Sequence, residues 1–106
     1  MQEFRVKTSS RTQFVDITSE VRSAIAEEGV GDGLCLVFCP HTTAAITINE
    51  NADPSVQSDI QAELNKLVPR DDNYRHVEGN SDAHIKSSLI GCSERVIVEG
   101  GRPVLG

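Results

Sequence analysis

The chain has 106 residues, with ten Lys or Arg against sixteen Asp or Glu and a formal net charge of −6. This is one domain's worth of chain with a modest core that oligomerisation would supplement, and 38% hydrophobic residues exclude a disordered polymer. No apolar run approaches the roughly 20 residues of a membrane span, no signal-peptide core opens the chain, and an acidic balance without a Lys/Arg cluster argues against nucleic acid. Three cysteines, Cys35, Cys39 and Cys92, cannot all pair within one chain and show no zinc-ribbon spacing, so reduced thiols in a cytoplasmic protein are expected.

Residues 3–7 alternate apolar and polar, as a half-buried strand does, and residues 12–17 read as a second strand after a turn. Thr18 or Ser19 offers an N-cap for a helix carrying Val21, Ala24 and Ile25, which Gly29 stops. Residues 34–38 (Leu-Cys-Leu-Val-Phe) form a continuous apolar run, the pattern of a strand covered on both faces. Beyond Pro40, residues 43–48 alternate again and predict another strand.

Asp53-Pro54 is an N-cap followed by proline at the first helical position. Val56, Ile60, Leu64 and Leu67 then form one apolar stripe, closed by Pro69. Residues 70–80 are polar and aperiodic, hence a loop. Asn80 or Ser81 caps a short helix expected to turn Ile85, Leu89 and Ile90 inward until Gly91. Residues 95–99 are a strand, Gly100-Gly101 a turn, and Pro103-Val104-Leu105 a further extended segment. The resulting fold class is α+β, with helices on one side of a mixed, mainly antiparallel sheet, in a single domain over residues 1–106.

Three segments carry chemistry. Cys39-Pro40-His41-Thr42-Thr43 places an imidazole and two hydroxyls between predicted strands, where a histidine bonded within a turn is the plainer reading. Asn49-Glu50-Asn51-Ala52-Asp53-Pro54 crowds polar groups before a helix; Asp53 is explained as a cap, whereas Glu50 and Asn49 are free to orient a substrate or hold a hard cation. His76 to Ser88 is densest. His76 and Glu78 project to one side of an extended loop, and His84 and Ser88 are neighbours on a helix. That helix start is a ready anion site to which Lys86 adds charge. Three histidines beside carboxylates suit a divalent metal such as Zn or Mg, although positions 41, 76 and 84 follow no standard metal spacing.

The strings His41-Thr42-Thr43-Ala44-Ala45, Asn49 to Pro54, and His76 to Leu89 resemble the YjbQ-like family, the secondary thiamine-phosphate synthase family. Gly91-Cys92-Ser93 and Gly100-Gly101-Arg102 fall where that pattern expects them. The resemblance implies a homotrimer with polar pockets near subunit boundaries and a cluster of His41, Glu50, His76 and His84 in one pocket. It implies weak synthase activity, joining a pyrimidine pyrophosphate to a thiazole phosphate with release of pyrophosphate. Family members continue beyond the position of Gly106 into a basic final strand, so this chain is expected to lack that segment.

On this expectation Glu50 and Asp82 hold the metal together with His41, His76 and His84, the histidines doubling as acid/base groups. Thr42, Thr43, Asn49, Asn80, Lys86, Ser87 and Ser88 receive a small, phosphorylated substrate. Two other classes fit the same residues: a metal-dependent hydrolase of a small phosphorylated or cyclic substrate, and a non-enzymatic trimer that binds a metal or ligand.

Overall fold

The computed structural model describes residues 1–106 and orders its elements as α1 (Thr18–Glu28), β1 (Gly33–Phe38), α2 (Pro54–Leu67), α3 (Ser81–Ile90), β2 (Ser93–Glu99) and β3 (Arg102–Pro103). This is an α+β architecture of three helices and a sheet in the order β1-β2-β3. The chain divides into two compact units, one built from Met1–Val37 with Arg95–Gly106 and the other from Phe38–Glu94.

In the first unit α1 begins where Asp16 accepts hydrogen bonds from the Thr18 N–H (2.9 Å) and Thr18 hydroxyl (2.6 Å). The N-cap position is Ile17, which has no side-chain cap bond, in place of the expected Thr18 or Ser19, and Asp16 just before it holds Thr18. Gly29 closes the helix in the left-handed region, at φ 67°, a conformation that costs glycine nothing. β2 and β3 pair antiparallel, Val98 with Pro103 and Glu99 with Arg102. The two residues between them, Gly100 (φ 59°) and Gly101 (φ 77°), both take positive φ, which is what a two-residue turn matching strand twist requires. α1 lies against β3, and Ile25, Val96 and Val98 are the buried apolar residues of this unit.

Strand burial alternates, with Cys35 and Val37 of β1 and Val96 and Val98 of β2 turned inward. The opposite face is open: Leu34, Leu36, Phe38 and Ile97 are each about 60% exposed. The apolar run 34–38 thus predicted cover on both faces, and this chain covers one. The strands predicted at 3–7 and 12–17 also do not form. Alternation describes which side chains a strand could bury, but a strand exists only where a neighbour accepts its hydrogen bonds.

In the second unit Asp53 caps α2, accepting from the Ser55 N–H (2.9 Å) and hydroxyl (2.8 Å). These bonds hold its carboxyl below the ordinary carboxylate value, the backbone bond contributing most. Val56, Ile60 and Leu64 face inward as expected. Val68, whose N–H returns to the Leu64 carbonyl at 2.8 Å, completes that stripe, while Leu67 is 67% exposed. The strand expected over 43–48 is replaced by a turn, in which the Ala44 N–H donates to the His41 carbonyl, followed by one link from the Ile46 N–H to the Gly91 carbonyl.

Helix α3 reverses its expected orientation. Ile85 and Leu89 are exposed and only Ile90 of the expected inward residues is half-buried, whereas Asp82 is buried. Asp82 and Lys86 pair at 3.7 Å with side chains only 5% and 13% exposed, and Lys86 Nζ donates to Asn65 Oδ1 of α2 at 2.5 Å. The Ser87 hydroxyl bonds the Thr42 carbonyl and the His84 carbonyl. A desolvated ion pair and a half-buried hydroxyl need fixed partners, and α2 and the 41–44 turn provide them.

Asp82→Ala is expected to cost about 3 kcal/mol or more, because it strands the Lys86 charge. Asp82→Leu combined with Lys86→Met should recover most of that loss. Urea unfolding of the three proteins checks this; equal losses in the single and double variants would show that the pair is not the cause.

Candidate functional site

Of the expected site residues, the fold brings His76 and His84 together. Their rings meet edge to face, with centroids 5.3 Å apart at an interplanar angle of 88°. His84 is presented by the first turns of α3, and His76 by the loop that leads into it. Glu78 joins them, its Oε2 lying 3.8 Å from His76 Nε2; the expected extended loop is instead a turn, the Gly79 N–H donating to the His76 carbonyl, and the turn brings the two side chains together. Around the pair is an open cavity of about 350 Å³ lined by Tyr74, Arg75, His76, Ser81, His84 and Ile85.

Tyr74 anchors the rim of this cavity, its hydroxyl donating to the Pro69 carbonyl at 2.6 Å. Partial burial, and then the negative charges of Asp72 and Asp82, raise its hydroxyl above the ordinary phenol value. No motif marks Tyr74 or Arg75, because a loop residue's role is set by where the loop ends rather than by its type. Their position immediately before His76 was the available signal.

The other expected residues have local or structural employment. His41 is exposed and opens the 41–44 turn, and Thr42 lends its carbonyl to Ser87. Thr43 is exposed within the same turn. Asn49 Oδ1 accepts from the Glu50 N–H at 2.7 Å, and Glu50 is exposed. Asn51 Oδ1 accepts from Gln57. Asn80 occupies the α3 cap position without a side-chain cap bond, and its Oδ1 is buried with no hydrogen-bond partner.

Lys86, Ser87 and Ser88 were expected to receive phosphate. Lys86 is instead held by Asp82 and Asn65, Ser87 by Thr42, and Ser88 by the His84 carbonyl at 2.9 Å. The expected metal set of His41, Glu50, His76, Asp82 and His84 does not gather. No three His, Cys, Asp or Glu side chains come close enough together to hold an ion, and Asp82 is committed to Lys86. The donors present in one chain do not fit a zinc or magnesium site, which needs three or more convergent ligands.

What the fold and site define is a small α+β protein whose second unit presents a paired-imidazole cavity at the start of a helix. The model of the YjbQ-like UPF0047 proteins matches residues 2–106, and the chain belongs to that family. It is 55% identical over 104 residues to a UPF0047 protein of Methanocaldococcus jannaschii, covering 98% of this chain and 75% of the relative. It is 47% identical over 107 residues to the UPF0047 protein YugU of Bacillus subtilis, covering 100% of this chain and 81% of that one. Among solved structures, an uncharacterised YjbQ/UPF0047 protein of Clostridium acetobutylicum superposes with TM-score 0.93 at 57% identity, covering 95% of this chain and 78% of the other. A protein of Sulfolobus solfataricus, described as of unknown function, gives TM-score 0.90 at 29% identity over 95% of this chain and 74% of that one.

These relatives correct the functional expectation. They are named as UPF0047 or YjbQ-like proteins, uncharacterised or of unknown function, and none of these names carries thiamine-phosphate synthase activity. The synthase reading therefore does not stand. The convergent metal centre that a metal-dependent hydrolase would require is likewise not assembled by this chain. No helix is long and apolar enough to cross a membrane.

Tyr74 is the only tyrosine and there is no tryptophan, so its ionisation can be followed by phenolate absorbance without interference. The midpoint is expected above 10, and Asp72→Asn should move it down toward the ordinary value. Because the folded chain binds this proton more tightly than the unfolded one, stability should fall as pH rises through about 10. A midpoint at or below 10 would remove the stated environment.

Proposed function

We propose that the second unit binds a small anionic molecule, a phosphorylated one in particular, and that the His76–His84 pair exchanges a proton with it. The observation that carries this reading is the edge-to-face histidine pair, with Glu78 beside His76, facing one cavity together with Arg75. A guanidinium supplies fixed positive charge and a fork of donors for phosphate or carboxylate oxygens. The start of α3 adds backbone N–H groups, which favour an anion. Two imidazoles in contact, one facing a carboxylate, supply an acid and a base within reach of one ligand. A cavity of about 350 Å³ suits a small molecule.

The test titrates inorganic phosphate and a small phosphomonoester while following the imidazole resonances. Saturable shifts at His76 and His84, weakened about tenfold or more in Arg75→Ala, are expected. Shifts that do not saturate, or that persist unchanged in Arg75→Ala, would exclude anion binding here. The acid/base role is read from turnover of small phosphorylated compounds. His76→Asn and His84→Asn should each lower it about 100-fold or more.

We propose in addition that copies of this chain associate, as a trimer, through the open sheet face of Leu34, Leu36, Phe38 and Ile97. Four large apolar side chains left about 60% exposed on one face favour removal from water. Leu36→Glu places a charge in that patch and is expected to reduce the mass measured by light scattering to that of a single chain, about 11.5 kDa. An unchanged mass would locate association elsewhere.

A further inference from the structure

We propose that Cys39 and Cys92 form a thiol–disulfide pair, closed by exchange with a low-molecular-weight disulfide. All three cysteines are free thiols in the structure. The Cys39 N–H donates to the Cys92 carbonyl at 2.9 Å, and this single bond limits how far apart the pair can lie. Adding the N–Cα bond and the O-to-Cα span to that hydrogen bond bounds the Cα–Cα distance at about 6.8 Å, inside the window of about 4.4 to 6.8 Å that disulfides occupy.

Orientation is set by the strand pattern. Cys35 and Val37 point inward from β1, and Cys39 is the next position of the same parity. Cys92 lies one residue before β2 and Cys39 one residue after β1, and the backbone hydrogen bond between them sets the two positions opposite each other. Residues opposed on adjacent extended backbone carry their side chains to the same side, which is the arrangement a bridge between them requires. Cys35 shares the face but lies four residues along an extended run, roughly 13 Å from Cys39, beyond bridging distance.

Exposure orders the chemistry. Cys92 is exposed and Cys39 half-buried, so the Cys92 thiolate meets the oxidant first. It attacks one sulfur of a disulfide such as oxidised glutathione, forming a mixed disulfide and releasing one small thiol. The Cys39 thiolate then attacks the Cys92 sulfur and releases the second small thiol. The protein loses two protons and two electrons, and the small disulfide gains them as two thiols.

The bond would tie the residue just before Pro40-His41 to Cys92, two residues beyond the end of α3, next to Gly91, whose carbonyl already receives the Ile46 N–H. Oxidation therefore fastens the 41–44 turn to the end of the helix that presents His84. Neither thiol takes part in the anion site proposed above, so the two proposals stand or fall separately.

The experiment incubates the intact chain with increasing ratios of oxidised to reduced glutathione, blocks remaining thiols with an alkylating agent, and maps the peptides by mass. Alkylatable thiols should fall from three to one, with a Cys39–Cys92 linked peptide and Cys35 alkylated. Cys35→Ser should leave the reaction intact. Cys39→Ser should stop it at a stable mixed disulfide on Cys92, and Cys92→Ser should abolish closure. Three alkylatable thiols at every ratio, a mixed disulfide that never closes in the unaltered chain, or a link through Cys35 would each overturn the proposal. The same linkage selectivity in denaturant would also overturn it, because the pairing would then owe nothing to the fold.

Discussion

The second unit depends on a carboxylate that has been taken out of water. Asp82 is 3% exposed, and burying a charge carries a desolvation cost that an apolar residue would not. Lys86 beside it, with Asn65 beside Lys86, offsets that cost. Those conditions fix which face of α3 turns inward, and they fix α3 against α2. Once that orientation is set, Ser87 reaches the Thr42 carbonyl, Ile85 turns to the cavity rim, and His84 meets His76. The placement of the imidazole pair is thus a consequence of one buried ion pair.

Polar residues here do structural jobs that their types alone would assign to chemistry. Lys86, Ser87 and Ser88 look like phosphate ligands at a helix start, yet each is engaged within unit 2. Asp82 looks like a metal ligand, yet it balances a lysine. The inverse also holds. Glu78, 70% exposed and in an irregular loop, has little to stabilise and is the carboxylate that stands beside the histidines. Availability, more than chemical type, separates the residues that can act on a ligand from those that hold the helix.

The sequence was legible where local rules suffice. Asp53-Pro54 marked the start of α2, Gly29 the end of α1, and Gly100-Gly101 the β2–β3 turn, because caps and positive-φ turns are decided by nearest neighbours. The His76-Glu78 contact was expected from an extended loop but is made across a turn closed by the Gly79 N–H and the His76 carbonyl. Strands at 3–7, 12–17 and 43–48 were not decided in this way. Their alternation is real, but pairing requires a partner from elsewhere, and alternation carries no information about whether one is present. The membership in the YjbQ-like family was readable from three motifs in order, whereas an activity was not, because motifs record shared residues without recording what they bind.

What the sequence by itself determined is therefore the start of α2 and the end of α1, the glycine turn, the Val56-Ile60-Leu64 part of the α2 stripe and the family. What only the tertiary structure decided is the facing of α3, the single covered face of β1, and the division of the polar residues between support and site. Helix periodicity defines two faces of α3, an apolar one with Ile85 and Leu89 and a polar one with Asp82 and Lys86, and burial of the apolar face is the default. The choice reverses because Asn65 and the Thr42 carbonyl, distant in sequence, satisfy the polar face when it is inward, and no local rule can count partners that arrive through folding.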